Sequence, residues 1–463
     1  MVRQRFIYCG IAAAFILAGE AQAQGQESPD SGLRPSLEAT DPPVDGDQTD
    51  GEIVPAVAAK PTTLEAGLIA VEPPPPPRRK SRNEDDPYAA LGLDVGGLTV
   101  FPVLRAGIIV SDNPANSSTD RKGDIGARLR PSLRITSDWI RHELSIDGSG
   151  DFVFYNEQSE NDARAADVRA RLRLDVLRST TLALDAGYVL TQENGSDSEV
   201  PDTAIGNRTD QSFSQNVILT HRTGLLATTL RAGSVWQYYG DVDLAGGGKE
   251  INSDREYVEP QAALRVSYEA SPAMRPFVEV GYAPRIHFKD RDRNGLDRDS
   301  DGYRVEAGVA FEPSPLWSGE LGIEYMLRDY ADPSLASVDI FGLTGQVTWR
   351  PTELTTVDLS FSTDLNETAS ADSSGSRVYG TRLAVAHDLR DYITLNGSVS
   401  LDYEDFQGSD ETELTLRSNA GILWRLNRWI AWTLDYDFIY NDSSLPDSDD
   451  YENRLTAGIE LRG

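Results

Sequence analysis

Thiol chemistry is almost absent from this 463-residue chain, which holds 1 cysteine. That residue, Cys9, lies in a segment that reads as a removable export signal, so neither a disulfide framework nor a cysteine-ligated metal is expected in the rest. Histidine is nearly as scarce. Of 4 histidines, His142, His221 and His387 fall beside turn-like breaks on separate segments and His287 stands apart, so no pair is placed for metal binding or general base work. The G-x-S-x-G, H-E-x-x-H and paired-cysteine motifs are all missing, and no enzyme is expected. A lipid hydrolase built on a barrel is the enzymatic alternative, which a lipase or deacylase assay separates. Beyond the N-terminal signal no apolar run reaches about 18 residues, which excludes ordinary transmembrane helices. Positive charge is short as well, with 43 Lys and Arg against 74 Asp and Glu and a net charge of −31. Of this, −24 falls in residues 97–463, so the folded part itself repels polyanions and nucleic acid is a poor partner.

What the chain does have is a rhythm. Turn-like breaks recur near residues 138, 178, 223, 271, 314, 352, 390 and 428, and alternating apolar and polar residues flank them. After 178, Leu182, Leu184, Ala186, Tyr188 and Leu190 share one face, with Thr181, Asp185 and Gly187 on the other. After 390 the apolar face runs Ile393, Leu395, Val399, Leu401 and Tyr403 against Thr394, Asn396, Ser398, Ser400 and Asp402. After 428 it runs Ile430, Trp432, Leu434, Tyr436, Phe438 and Tyr440 against Thr433, Asp435 and Asp437. Such strands exceed the usual five or six residues of soluble sheets and suit a tilted membrane crossing of about 9 to 11 residues.

Targeting agrees with this. Arg3 and Arg5, the apolar run from Ile7 to Gly19 and Ala21-Gln22-Ala23 form a secretory signal over residues 1–23, with cleavage expected after Ala23. Residues 24–96 are a disordered periplasmic linker and barrel lead-in, in which Pro73 to Pro77 are followed by Arg78, Arg79, Lys80 and Arg82. Its proline and basic block is a candidate contact for peptidoglycan or a periplasmic protein. The expected fold is all-β: one transmembrane antiparallel up-and-down β-barrel over residues 97–463, about 18 strands with 16 as the alternative. An even count puts both ends on the periplasmic side of a Gram-negative outer membrane. Outer-membrane lipid and the barrel assembly machinery are its expected partners, and the oligomeric state is left open.

Trp139, Trp317, Trp349, Trp424, Trp429 and Trp432 fall beside the short turns, while Tyr155, Tyr238, Tyr239, Tyr330, Tyr403, Tyr440 and Tyr451 lie toward the long loops, as two interfacial belts require. Pro131, Pro260 and Pro284 interrupt the pattern and predict shortened or bulged strands, the last within residues 274–288.

The segment from Asp86-Pro87-Tyr88 through Gly96-Gly97, Phe101-Pro102 and Asp112-Asn113 resembles the start of the "putative β-barrel porin 2" family of bacterial outer-membrane proteins. The resemblance implies fold and location and selects no substrate.

Function in a barrel would be written in its lumen. Inward positions predict a basic sector of Arg128, Arg130, Arg134, Arg169, Arg171 and Arg173, interleaved with Glu143, Asp147 and Asp151. Asp358, Asp364, Asp402, Asp435 and Asp437 are placed far around the wall. Opposed sectors would set a transverse field across a wet pore, and the competing reading is adjacent-strand ion pairs that stiffen the wall. No cofactor is expected apart from calcium in an external loop, where Asp290, Asp292, Asn294, Asp297, Asp299 and Asp301 form two overlapping D-x-[DN]-x-[DN]-G patterns. Arginines interleave those acids, so a self-paired loop competes with that reading. The favoured function is a porin-like channel for polar or sugar-like solutes. The alternatives are a surface adhesin or receptor anchored by the barrel, or a polysaccharide export pore.

Overall fold

The computed structural model describes residues 87–463 apart from 194–199, 201–202, 272, 367, 369–372 and 446–447. The expected signal peptide and nearly all of the proline-rich linker lie outside the described residues. In chain order the wall strands are β1 (Leu98–Ser111), β2 (Asp124–Ser137), β3 (His142–Tyr155), β4 (Ala163–Leu177), β5 (Thr180–Glu193) and β6 (Arg208–Thr223). They continue as β7 (Leu226–Tyr239), β8 (Tyr257–Tyr268), β9 (Met274–Tyr282), β10 (Ser300–Ser314), β11 (Trp317–Tyr330) and β12 (Val338–Thr352). The last are β13 (Thr355–Asn366), β14 (Gly375–Arg390), β15 (Ile393–Gln407), β16 (Thr412–Arg425), β17 (Ile430–Ser443) and β18 (Asp450–Arg462). Each pairs antiparallel with the next, and β18 pairs back onto β1 through Val103↔Arg462 to Ser111↔Arg454. The result is a closed barrel of 18 antiparallel strands. Closure leaves no strand edge unpaired, which is what permits a sheet to sit in hydrocarbon.

Burial is inverted relative to a soluble protein. Ile108 is 59% exposed and Phe341 65%, whereas Arg128 and Glu324 are each 2% exposed. Period-2 alternation places apolar side chains on the outer surface and charged ones inside, the pattern a lipid-facing wall demands. At roughly 25 cal/mol per Å² this apolar surface would be strongly unfavourable in water, so the fold is stable only where lipid covers it.

All eight rhythmic breaks are tight turns on one side of the barrel, for example Arg178–Ser179 between β4 and β5. Trp317 and Trp349 face each other across β11 and β12 near this side, stacked with ring centroids 5.3 Å apart. The opposite belt differs from expectation. Tyr238, Tyr403 and Tyr451 are exposed on the outer surface, but Tyr155, Tyr239 and Tyr330 are buried. Tyr155 and Tyr239 fall on the inward parity of β3 and β7, so alternation overrides proximity to the interface.

Pro131 leaves β2 at full length and unbulged, with only Arg130 and Pro131 skipped in the ladder to β3, whereas the other two prolines act as expected. Pro260 and Pro284 face a gap: β8 pairs with Ile286–His287 through Tyr257 and Val258, then with β9 from Ala262 onward, in unchanged register. The expected strand over 274–288 is thus broken, because neither proline can donate to a ladder. At the β1–β18 seam Gly107 faces Gly458 directly. A Cβ on Gly107 would lie 2.7 Å from the Ala457 carbonyl oxygen, so only glycine permits this approach.

Candidate functional site

Among the inward charges two buried networks and one open sector stand out. The first network spans the seam. Arg128 on β2 donates bidentately to Asp151 on β3 at 2.9 and 2.6 Å, and its third nitrogen reaches Asp437 on β17 at 3.0 Å and Thr456 on β18 at 3.3 Å. Arg130 pairs with Asp435, Arg105 with Glu460, and Arg454 with Glu452. The glycines at 107 and 458 explain how: with no side chains between them and the lumen, the long β2 arginines lie across β1 and β18 to meet β17.

This corrects the opposed-sector expectation. Asp435 and Asp437 do not lie across the lumen from Arg128 and Arg130; ring closure makes them near neighbours and ion-pair partners. Asp402 likewise accepts from Arg417 on the adjacent β16 at 3.0 Å, and Asp358 from the Thr348 hydroxyl on β12 at 2.5 Å. A transverse field between separated sectors therefore gives way to local neutralisation.

The second network, on β7 to β11, was not singled out from the sequence. Glu279, Glu306 and Glu324 stand directly opposite one another across three strands. Like charges in register destabilise a sheet. Here Arg231 reaches Glu279 at 2.7 Å, Arg265 reaches Glu320 at 2.6 Å, and Arg304 reaches Glu324 at 2.6 Å and Glu306 at 3.2 Å. Nearer the loops Arg285 and Arg328 both donate to Glu259 at 2.9 Å. The signal was present, since Glu259 and Arg265, Arg304 and Glu306, and Glu320, Glu324 and Arg328 all keep even spacing on one strand face.

The open sector is β3 to β5. Arg169 is 68% exposed and Glu143 51%, although both face inward. Arg171 pairs with Asp185 at 2.8 Å, Arg173 with Glu143 at 3.2 Å, and Arg134 on β2 with Asp147 at 2.9 Å. These are the cross-strand pairs of the wall-stiffening reading, yet their exposure requires water on the lumen side.

The long loops interlock over the mouth. Ala204–Ile205, Val242–Leu244 and Lys249–Glu250 form a small sheet between the β5–β6 and β7–β8 loops. Arg293 of the β9–β10 loop clamps Asp254 at 3.0 Å and also pairs with Glu250. Burial pushes the Asp254 carboxyl up, but the Arg293 guanidinium and backbone amide outweigh it and hold the group below its usual range. The same loop turns inward. Leu296 packs on the buried cluster of Tyr330, Leu335 and Val338, and Arg298 donates to the Ser373 carbonyl at 3.4 Å.

That loop is the candidate calcium site, and four of its five aspartates already accept hydrogen bonds. Asp292 accepts the amides of Asn294 and Leu296 and the Arg298 guanidinium. Asp297 accepts the Asp299 amide, Asp299 the His287 amide, and Asp301 the Tyr282 hydroxyl. Arg291 donates to the Gly295 carbonyl. Among the described residues no three carboxylate or imidazole side chains converge as a metal shell requires. In this arrangement the loop is self-paired through Asp292, Asp297, Asp299 and Asp301, the competing reading of the same residues.

No curated protein matches the chain. Among solved structures it is similar to the outer membrane protein OpdK of Pseudomonas aeruginosa, at 12% identity over 79% of this chain and 98% of that one, with a TM-score of 0.38. OccAB4 of Acinetobacter baumannii gives 13% identity over the same shares and a TM-score of 0.40. The siderophore receptor PirA of Pseudomonas aeruginosa gives 8% identity over 78% and 80%, with a TM-score of 0.35. The sequence model of one family matches residues 86–463, which is the whole barrel and its lead-in. This chain belongs to the family described as "Putative beta-barrel porin 2", outer-membrane β-barrels of porin-like fold.

Proposed function

We propose that the chain is exported on residues 1–23, cleaved near Ala23 and inserted in the outer membrane as a porin-like channel for polar or sugar-like solutes. The observation that carries this is the open sector: inward-facing charges such as Arg169 and Glu143 stay more than half exposed, which a packed or plugged interior would not allow. Across the lumen, inward Ser360 and Ser362 on β13 and Asn396, Ser398 and Ser400 on β15 supply neutral hydrogen-bonding groups that can exchange with a hydrated solute. The inward-packed β9–β10 loop is placed to narrow the path. The short turns and both strand termini face the periplasm in this orientation.

Purified protein in planar bilayers is expected to give stepwise currents. A bilayer that stays closed at every voltage overturns the channel and favours the second reading, a surface receptor with the barrel as anchor. That reading draws on one observation, the chain of loop contacts from the small sheet through Arg293 to Arg298 and Ser373, which would present a rigid outer surface.

A further inference from the structure

The outer wall of β5 to β8 changes character one row below the long loops. The lower row runs Phe213, Trp236, Val258 and Ile286 in direct cross-strand register, all apolar. The row above it runs Leu190, Gln211 and Tyr238, continuing to Glu256 and Phe288, whose amide donates to the Glu256 carbonyl at 3.0 Å. Lipid tails suit the first row and headgroups the second. Beside the second row, at the base of the β7–β8 loop, lies an open cavity of about 570 Å³ whose lining includes Gln211, Tyr238, Tyr239, Asp241, Ser253 and Glu256.

Gln211, Asp241, Ser253 and Tyr238 are each held in place. Tyr188 donates its hydroxyl to the Gln211 carboxamide at 2.9 Å, and Asp241 accepts the Asn252 amide at 3.2 Å. Lys289 donates to the Ser253 hydroxyl at 2.7 Å. Phe288 packs against both Trp236 and Tyr238, at 6.0 and 5.9 Å between ring centroids, and so props the Tyr238 ring beside the cavity. Two carboxylates line the cavity and the nearest ammonium, Lys289, is held by the Ser253 hydroxyl, so hydroxyl donors suit the lining better than a phosphate pressed into it. Carboxylates accept paired hydroxyl donors, a carboxamide both donates and accepts, and a flat ring offers an apolar face to the C–H side of a pyranose. Burial pushes the Glu256 carboxyl up against the pull of Lys289, and Asp241 pushes it further, so hydroxyl donors to this pair are favoured over a further anion.

We propose that this cavity holds a sugar of an outer-leaflet glycolipid headgroup, stacked on Tyr238 and hydrogen-bonded by Asp241, Glu256 and Gln211. The position on the lipid-facing wall selects a lipid headgroup over a passing solute, and this rests on the orientation proposed above, with the long loops outside.

Native mass spectrometry of the detergent-solubilised protein, equilibrated with a short-core lipooligosaccharide or with phosphatidylglycerol, tests it. One retained lipooligosaccharide per barrel is expected, with little phosphatidylglycerol. The variant Y238A and the double variant D241N/E256Q are each expected to lower retention about tenfold, the effect of losing one or two charge-assisted contacts. Y403A, which removes an exposed ring from β15 on another part of the wall, is expected to leave retention unchanged. Equal retention by all variants, equal retention of both lipids, or no retention by the wild type would each overturn the proposal. Gel-shift assays confirm folding of every variant. Single-channel current of Y238A is expected to equal that of the wild type, so a barrel that fails to conduct is distinguished from a cavity that fails to bind.

Discussion

The Arg128 cluster sets the clearest demand on the fold. Its side chain is 2% exposed, and it satisfies Asp151 and Asp437, whose side chains are 10% and 2% exposed. Arg128→Met keeps length and apolar bulk but strands two buried carboxylates. Removing one partner of a buried pair costs about 3–5 kcal/mol, and here the loss falls on two acids, one of which retains the Asn419 amide at 2.6 Å. R128M is therefore expected to lose about 4 kcal/mol. D437N is expected to lose less, about 1.5–3 kcal/mol, because Arg128 keeps its bidentate hold on Asp151. In the triple variant R128M/D151N/D437N no charge is left unpaired, so most of the loss should be regained. Urea unfolding of the barrel in lipid bilayers, followed by tryptophan fluorescence and by the mobility shift of folded barrels on gels, measures all three. If R128M unfolds at the wild-type urea concentration, or the triple variant is less stable than R128M, the buried-network reasoning is wrong.

Three further outcomes are expected. R171Q/R173Q should shift reversal potentials in a salt gradient toward cation selectivity, because these arginines are 39–41% exposed on the lumen side; unchanged potentials would leave them only a wall-stiffening role. Asp254 has a folded pKa below its unfolded value of about 3.9, so the Arg293 clamp contributes fully above that value and is lost as pH falls through the folded pKa. Hydrogen exchange around residues 250–256, corrected for intrinsic rates, should thus be flat from about pH 7 to 5 and rise below about 4; a rise already at 5–7 would refute the sign. Finally, G458V places a Cβ 2.6 Å from the Ala106 carbonyl oxygen at the seam and should abolish the folded gel species, whereas G246A, with nothing within 4 Å, should fold normally.

Much of the architecture was legible because the wall obeys one rule. A period of two assigns each side chain to lipid or lumen, and the turns on the short side carry residues that break it, so all eight turns, the strand count and the inward parity of Arg128, Asp151, Arg171 and Asp437 follow from local pattern. Pro260 and Pro284 were readable for the same reason: a missing N–H has a local consequence. Tyr155, Tyr239 and Tyr330 depart from expectation only where closeness to the interface was allowed to outweigh parity.

What local pattern cannot supply is who sits beside whom once the sheet closes. Parity says that Arg128 and Asp437 face inward, but their separation of 309 positions in sequence conceals that β17 and β2 flank the same seam. The same holds for Arg293 and Asp254, whose loops meet only because β7 to β10 are consecutive staves. Charge in a barrel is therefore interpretable only ring-wise. An inward arginine with an acid on a neighbouring stave is first a structural group, and its claim on solutes grows with the water left around it. By that criterion Arg128 and Arg130 drop out of the transport argument, and Arg169, Arg171 and Arg173 stay in it, because the first two are 2% and 8% exposed and the others 39–68%.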